Sequence, residues 1–188
     1  MDMAIITVGI TCANDLEAQA AKISFEANSW MFQNPIFKFV IIKVPSTQPL
    51  IGSQAITDSC SKQLINTLQT FNSTGYVADV IVSIQGGIIS ENQINEPKSD
   101  QWYDTTFIKV YFPKSKKRIS GYTKLLHLPA PYIEEAKKRE LRKCDIGSII
   151  ARFNPGASAY DPHLVLTRVS KSVYLQQTIS QLIATNSH

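Results

Sequence analysis

The segment Val77-Ala78-Asp79-Val80-Ile81-Val82-Ser83-Ile84 constrains this chain most, because five of its eight residues are β-branched and only Asp79 and Ser83 are polar. A run apolar on both of its faces belongs in the middle of a sheet that is covered on both sides. It is therefore expected to be a central strand. The Gln85-Gly86-Gly87 sequence that follows predicts either a turn or a point where another group approaches the backbone closely.

The rest of the pattern agrees with a layered α/β protein. Ala4 to Ile10 reads as a buried opening strand, followed by a helical face of Leu16, Ala20, Ile23, Ala27 and Trp30, with Asn14 or Asp15 as its cap. Phe37 to Val44 is a second apolar run, closed by Pro45 and the polar turn through Pro49. Ile56, Cys60, Leu64 and Leu68 recur every four residues and predict a second helix, capped by Ser53. The stretch from Ser90 to Asp100 is polar and reads as a loop. Trp102 to Phe112 and Arg118 to Leu126 predict a hairpin around the basic turn Pro113-Lys114-Ser115-Lys116-Lys117.

Pro129 and Pro131 precede a predicted helix with Glu134 and Glu135 in its first turn and Arg142 and Lys143 at its end, the order that a helix dipole favours. Leu164 to Thr167 predicts a short last strand. Val173 to Ile183 predicts a final helix with Leu175, Ile179, Leu182 and Ile183 facing inward. The fold class expected is α/β: one domain over residues 1–188, with a mixed sheet and flanking helices, because the hairpin imposes antiparallel pairing on part of the sheet.

With 188 residues, 44% hydrophobic and 18% charged, the chain has enough apolar side chains for one core and too few charges for a disordered protein. The net charge of +4 gathers in two clusters, Lys114 to Arg118 and Lys137 to Lys143, which read as solvated faces. The second cluster has no interleaved aromatic residue, so a nucleic-acid partner is not expected. Cys12, Cys60 and Cys144 lack zinc-ligand spacing and read as buried free thiols of a reducing compartment. His127, His163 and His188 form no metal-ligand spacing. The sequence has neither a secretory leader pattern nor a run of about 18 apolar residues, so a cytoplasmic protein without a membrane span is expected.

Four segments, in order, carry a resemblance: Thr11-Cys12-Ala13-Asn14, Gln48-Pro49-Leu50-Ile51-Gly52-Ser53, Val80 to Gly87, and Leu128-Pro129-Ala130-Pro131 with Asp145-Ile146-Gly147. Together they resemble the noncanonical purine NTP phosphatase family, the inosine/xanthosine triphosphatase type. Gln101-Trp102-Tyr103-Asp104, Ile133-Glu134-Glu135-Ala136 and His163-Leu164-Val165-Leu166-Thr167 with Ser170-Lys171 are similar to that family's eukaryotic relatives, the proline-rich and coiled-coil-containing proteins.

The resemblance implies two lobes around a central cleft, a homodimer, and Mg²⁺-dependent hydrolysis of ITP or XTP. Such chemistry needs hard oxygen ligands for the metal and donors around the phosphates. On the matching positions, nucleotide contact is implied for Asn14, Gln85, Gly86 and Lys171, or Arg168 in place of Lys171. The expected carboxylates are replaced by Ala55, Gln85 and Ile89, and the basic residue expected after Asn14 is Glu17.

These departures lead to the expectation of a catalytically degenerate member that acts as a binding or scaffold domain, with a protein partner or a purine nucleotide and an association with the early secretory pathway. The alternative is an active enzyme whose metal site is rebuilt from Asp58, Glu91 or a carboxylate of a dimer partner, with Mg²⁺ as its cofactor. Ser170-Lys171 has a plainer reading too, as a solvated lysine beside a capping serine.

Overall fold

A computed structural model describes residues 4–44, 49–90 and 101–185. Its strands are β1 (Ile5–Cys12), β2 (Ile36–Lys43), β3 (Val80–Ser90), β4 (Trp102–Phe112), β5 (Lys117–Tyr122) and β6 (Leu126–Leu128). Its helices are α1 (Asp15–Ala27), α2 (Ser53–Thr74), α3 (Ala130–Lys138), α4 (Ile146–Phe153), α5 (Pro162–Thr167) and α6 (Lys171–Ala184). The sheet order is β2-β1-β3-β4-β5, with β6 also paired to β4. β1 pairs in parallel with β2 and β3, whereas β4 runs antiparallel to β3, β5 and β6. The fold is α/β with a mixed sheet, as the sequence predicts.

Alternation along β3 assigns its two faces. Val80, Val82 and Ile84 pack in one cluster with residues of α1 and α6, while Ile81 packs with Leu64 and Phe71 of α2. β3 is thus buried on both sides, which is why its apolar run is nearly continuous. Farther along, Ile88 enters a separate cluster with Leu128, Ile133, Ile149 and Ile150. Two packing centres therefore share one long strand, with the β1–α1 turn at one and α3 and α4 at the other.

The glycine pair does not end β3, which runs on to Ser90 against Trp102–Phe107 of β4. On its other side the backbone of Ile88 donates to Leu50 O and accepts from Gly52 N–H, both at 2.9 Å. A Cβ on Gly87 would lie 2.8 Å from Leu50 O and closer still to the Ile56 side chain. Close approach, not a turn, explains that glycine. Val77, expected in the strand, precedes it and is exposed.

Other expectations are corrected by local chemistry. Leu164 to Thr167 belongs to helix α5, because Asp161 accepts the Leu164 N–H as its cap and Pro162 fits the first helical position. Asp-Pro is a helix-start signal, and here it outweighs the β-branched Val165 and Thr167. Helix α2 begins after Gly52 with no side-chain cap, so Ser53 is its first residue rather than its cap. Helix α3 ends at Lys138, with Lys137 and Lys138 in its last turn and no acidic residue in its first, so Arg142 and Lys143 fall in a separate 3-10 turn.

The expected second strand of the hairpin is two strands, β5 and β6, separated at Thr123. Of the face expected for α1, Ala20 is buried and Leu16 packs against the core, but the burial centres on Ala18, Ala21 and Phe25, Ala27 is exposed, and Trp30 is exposed beyond the end of that helix. Cys144 is only partly buried, whereas Cys12 and Cys60 are buried. The polar segment 91–100 lies outside the described residues.

Candidate functional site

A cavity of about 430 Å³ lies between the two packing centres. Its walls are the β1–α1 turn, the Gln85–Ile88 part of β3, Asp104 of β4, the start of α4, the segment from Ala159 to Pro162, and Lys171 at the start of α6. The cavity lies just beyond the carboxyl end of β1, where open α/β sheets commonly place ligands.

The floor is a buried arrangement of charges. Glu17, 2% exposed, accepts the Ala13 N–H through Oε2 at 2.9 Å and the Lys171 ammonium through Oε1 at 3.3 Å. Asn14 Oδ1 accepts the Glu17 N–H at 3.0 Å, which caps α1 and fixes the carboxylate's starting point. Burial alone would lower the Lys171 pKa, but the carboxylates of Glu17, Asp104 and Asp161 outweigh it and hold the ammonium above its ordinary range. Lys171 is therefore a fixed cation and not an amine nucleophile. Burial, followed by the charge of Glu17, pushes the nearby Cys12 thiol up to about 11, so it does not supply a thiolate.

Asp161 ties the far wall together. Its carboxylate accepts the Lys171 N–H at 2.8 Å and the Ser170 hydroxyl at 2.6 Å, besides capping α5. Ser170 in turn caps α6 by accepting the Ser172 N–H. One step away, Asp104 Oδ2 is 2.7 Å from His163 Nε2, and the His163 ring is buried. Asp145 caps α4, accepting the Ser148 N–H at 2.9 Å and the Ser148 hydroxyl at 2.6 Å. Among the described residues, the carboxylates of Glu17, Asp104 and Asp145 border the cavity against the ammonium of Lys171.

The structure brings Asn14, Gly86 and Lys171 together as the resemblance implies. A Cβ on Gly86 would sit 3.2 Å from Lys171 Nζ, so the glycine leaves room for that ammonium. Gln85 borders the cavity, but its amide is committed toward α2. Its Oε1 accepts from Ser59 Oγ at 3.1 Å and Gln63 Nε2 at 2.5 Å, and its own Nε2 donates to Gly86 O at 3.0 Å.

The remaining candidates are not brought to the cavity. Arg168 is exposed, closes α5 in a left-handed conformation, and does not line the wall. Ala55 and Asp58 border a shallow groove along α2, where Asp58 accepts from Gln54 Nε2 at 2.8 Å. Ile89 is core, packed with Ile56, Cys60 and Phe107. Glu91 lies outside the described residues.

Magnesium does not fit the implied positions, since Ala55 offers a methyl group, Ile89 is buried hydrocarbon and the Gln85 oxygen already has two donors. No three His, Cys, Asp or Glu side chains among the described residues are grouped to hold a metal.

Sequence reasoning missed Asp104 and Asp161 as carboxylates acting on Lys171, and His163 as the partner of Asp104. Asp104 and His163 stand 59 residues apart, and only the turn of α5 aims the ring at the strand. Glu17 was legible as an unfavourable charge, but its partner was not, because Lys171 was placed among phosphates or solvent.

No protein-family model matches the chain, and no curated protein does. Among solved structures, protein VC0702 from Vibrio cholerae is similar, with a TM-score of 0.65 and 17% identity over 96% of this chain and 94% of that one. At that identity the likeness is one of fold.

Proposed function

We propose that the chain is a catalytically degenerate inosine/xanthosine triphosphatase-like protein that serves as a binding or scaffold domain. The observation that carries this reading is the Glu17–Lys171 pair. The ammonium that a phosphate would need already has a buried carboxylate at 3.3 Å, with Asp104 and Asp161 contributing further negative charge. An entering triphosphate would have to displace Glu17 and then face it.

The positions implied for metal ligands support the same reading, because a hydrolase of this type depends on carboxylates that Ala55, Gln85 and Ile89 do not provide. What the cleft retains is a polar cavity within the usual size range of small-molecule sites, walled by fixed donors and acceptors. It suits a neutral or amine-bearing ligand better than a polyanion. The early-secretory association and a homodimer belong to the same proposal, as implications of the resemblance. No helix among the described residues is long and apolar enough to cross a membrane.

Calorimetric titration with inosine, ITP and XTP, with and without Mg²⁺, tests the reading. The expected result is that the triphosphate adds nothing to the affinity for the nucleoside, whichever metal condition is used. Binding of ITP or XTP at least about tenfold tighter than inosine, about 1.4 kcal/mol, in the presence of Mg²⁺ would overturn it.

A further inference from the structure

Strand β5 is one edge of the sheet, and among the described residues no strand pairs with its outer side. Its six residues present a row of backbone donors and acceptors about 20 Å long. The strand's two faces differ. Ile119 and Gly121 lie against the core and α6, where a Cβ on Gly121 would be 3.5 Å from the Leu182 side chain. Arg118, Ser120 and Tyr122 alternate to the opposite face and are exposed.

Charge in the sequence on either side of this edge is of one sign. Between Asp104 and Glu134 the sequence has no acidic residue, yet it includes Lys109, Lys114, Lys116, Lys117, Arg118 and Lys124. Lys114, Lys116 and Lys124 are exposed at the two ends of β5. The Arg118 guanidinium is held on the same face as Lys109, 5.3 Å from the Tyr111 ring centre. The opposite edge, β2, is unlike it, since Lys43 there is ion-paired with Asp15 at 2.7 Å.

We infer that the β5 edge is a docking site for an acidic peptide segment that adds to the sheet as a further strand. Main-chain hydrogen bonds would supply affinity, and alternating carboxylates on the α2 side of the sheet would meet Arg118 and the flanking lysines. Like charge repels a second copy of this chain from the same edge, so the cations that discourage self-pairing select an acidic partner. None of the β5 residues lines the cleft, so the site stands independently of what the cleft binds.

The test uses the full chain and a fluorescent ten-residue peptide of alternating Glu and Thr. Three comparisons accompany it: the same peptide N-methylated along one edge, a Lys/Thr peptide, and oligouridylate. The Glu/Thr peptide is expected to bind and to slow amide exchange at residues 117–122, while the N-methylated peptide and the Lys/Thr peptide fail.

Lys114→Glu and Arg118→Glu, both at exposed positions, are expected to weaken peptide binding about tenfold each while the melting temperature stays within a few degrees. Equal binding of the N-methylated peptide would overturn strand addition, leaving only diffuse attraction. Oligouridylate binding tighter than the peptide, or no peptide binding at all, would overturn the choice of partner. A tenfold loss without any protection at 117–122 would also count against it.

Discussion

Replacing Glu17 with Ala is expected to lower the stability of the folded chain by about 3–5 kcal/mol, because the substitution leaves the Lys171 ammonium buried without its partner. Lys171 is only 12% exposed, so water cannot take over the role of the carboxylate. The Ala13 N–H also loses its acceptor. For a chain of this size the melting temperature should fall by roughly 6–20 °C.

A second variant separates pairing from mere packing. Changing Glu17→Leu together with Lys171→Met removes both charges, and the double variant should be more stable than Glu17→Ala alone. The pair's contribution should not vary between pH 7 and 9. Lys171 has its pKa raised in the folded state, so the stabilisation is complete below the ordinary lysine value of about 10.4 and is lost only as pH rises through the higher folded value. A loss below about 1 kcal/mol for Glu17→Ala would mean a solvated pair of the surface kind, contrary to the geometry.

The second large effect is expected for Gly147→Ala, measured by denaturant unfolding. A Cβ at Gly147 would collide with the Ala159 carbonyl oxygen, which is backbone and cannot rotate away. Both groups are in cavity walls, so relief requires the start of α4 to separate from the segment before α5. A cost of about 2–4 kcal/mol is expected, at the upper end for overpacking and well above an ordinary Gly→Ala change in a helix, which is favourable. An unchanged midpoint would show that the two segments are not in contact in solution.

These residues also mark how far the sequence could be read. The strands of the central sheet were legible because hydrophobic period and β-branching agree there, and the inward face of α6 followed from Leu175, Ile179, Leu182 and Ile183. Of the two caps that the sequence offered for α1, Asn14 and Asp15, the structure takes Asn14. At Gly147 the need is for space beside a carbonyl twelve residues away, which no local pattern signals.

Long-range compensation was the least legible feature. Glu17 and Lys171 are 154 residues apart, and each looked reasonable by itself, one as a misplaced anion and the other as a phosphate contact. Their pairing depends on α1 and α6 packing side by side on the sheet, which no local pattern specifies. Gln85 is similar, since its sequence position suggested a cleft ligand while Ser59 and Gln63 of α2 draw its amide to the other face.

The central claim, that this cleft binds without hydrolysing, is tested most directly by measuring pyrophosphate and phosphate release from ITP and XTP with Mg²⁺ or Mn²⁺. The chain is predicted to release neither above the protein-free rate. Steady turnover that requires the metal and disappears in Lys171→Ala would contradict the account, because it would place a working phosphate site where Glu17 and Lys171 are paired.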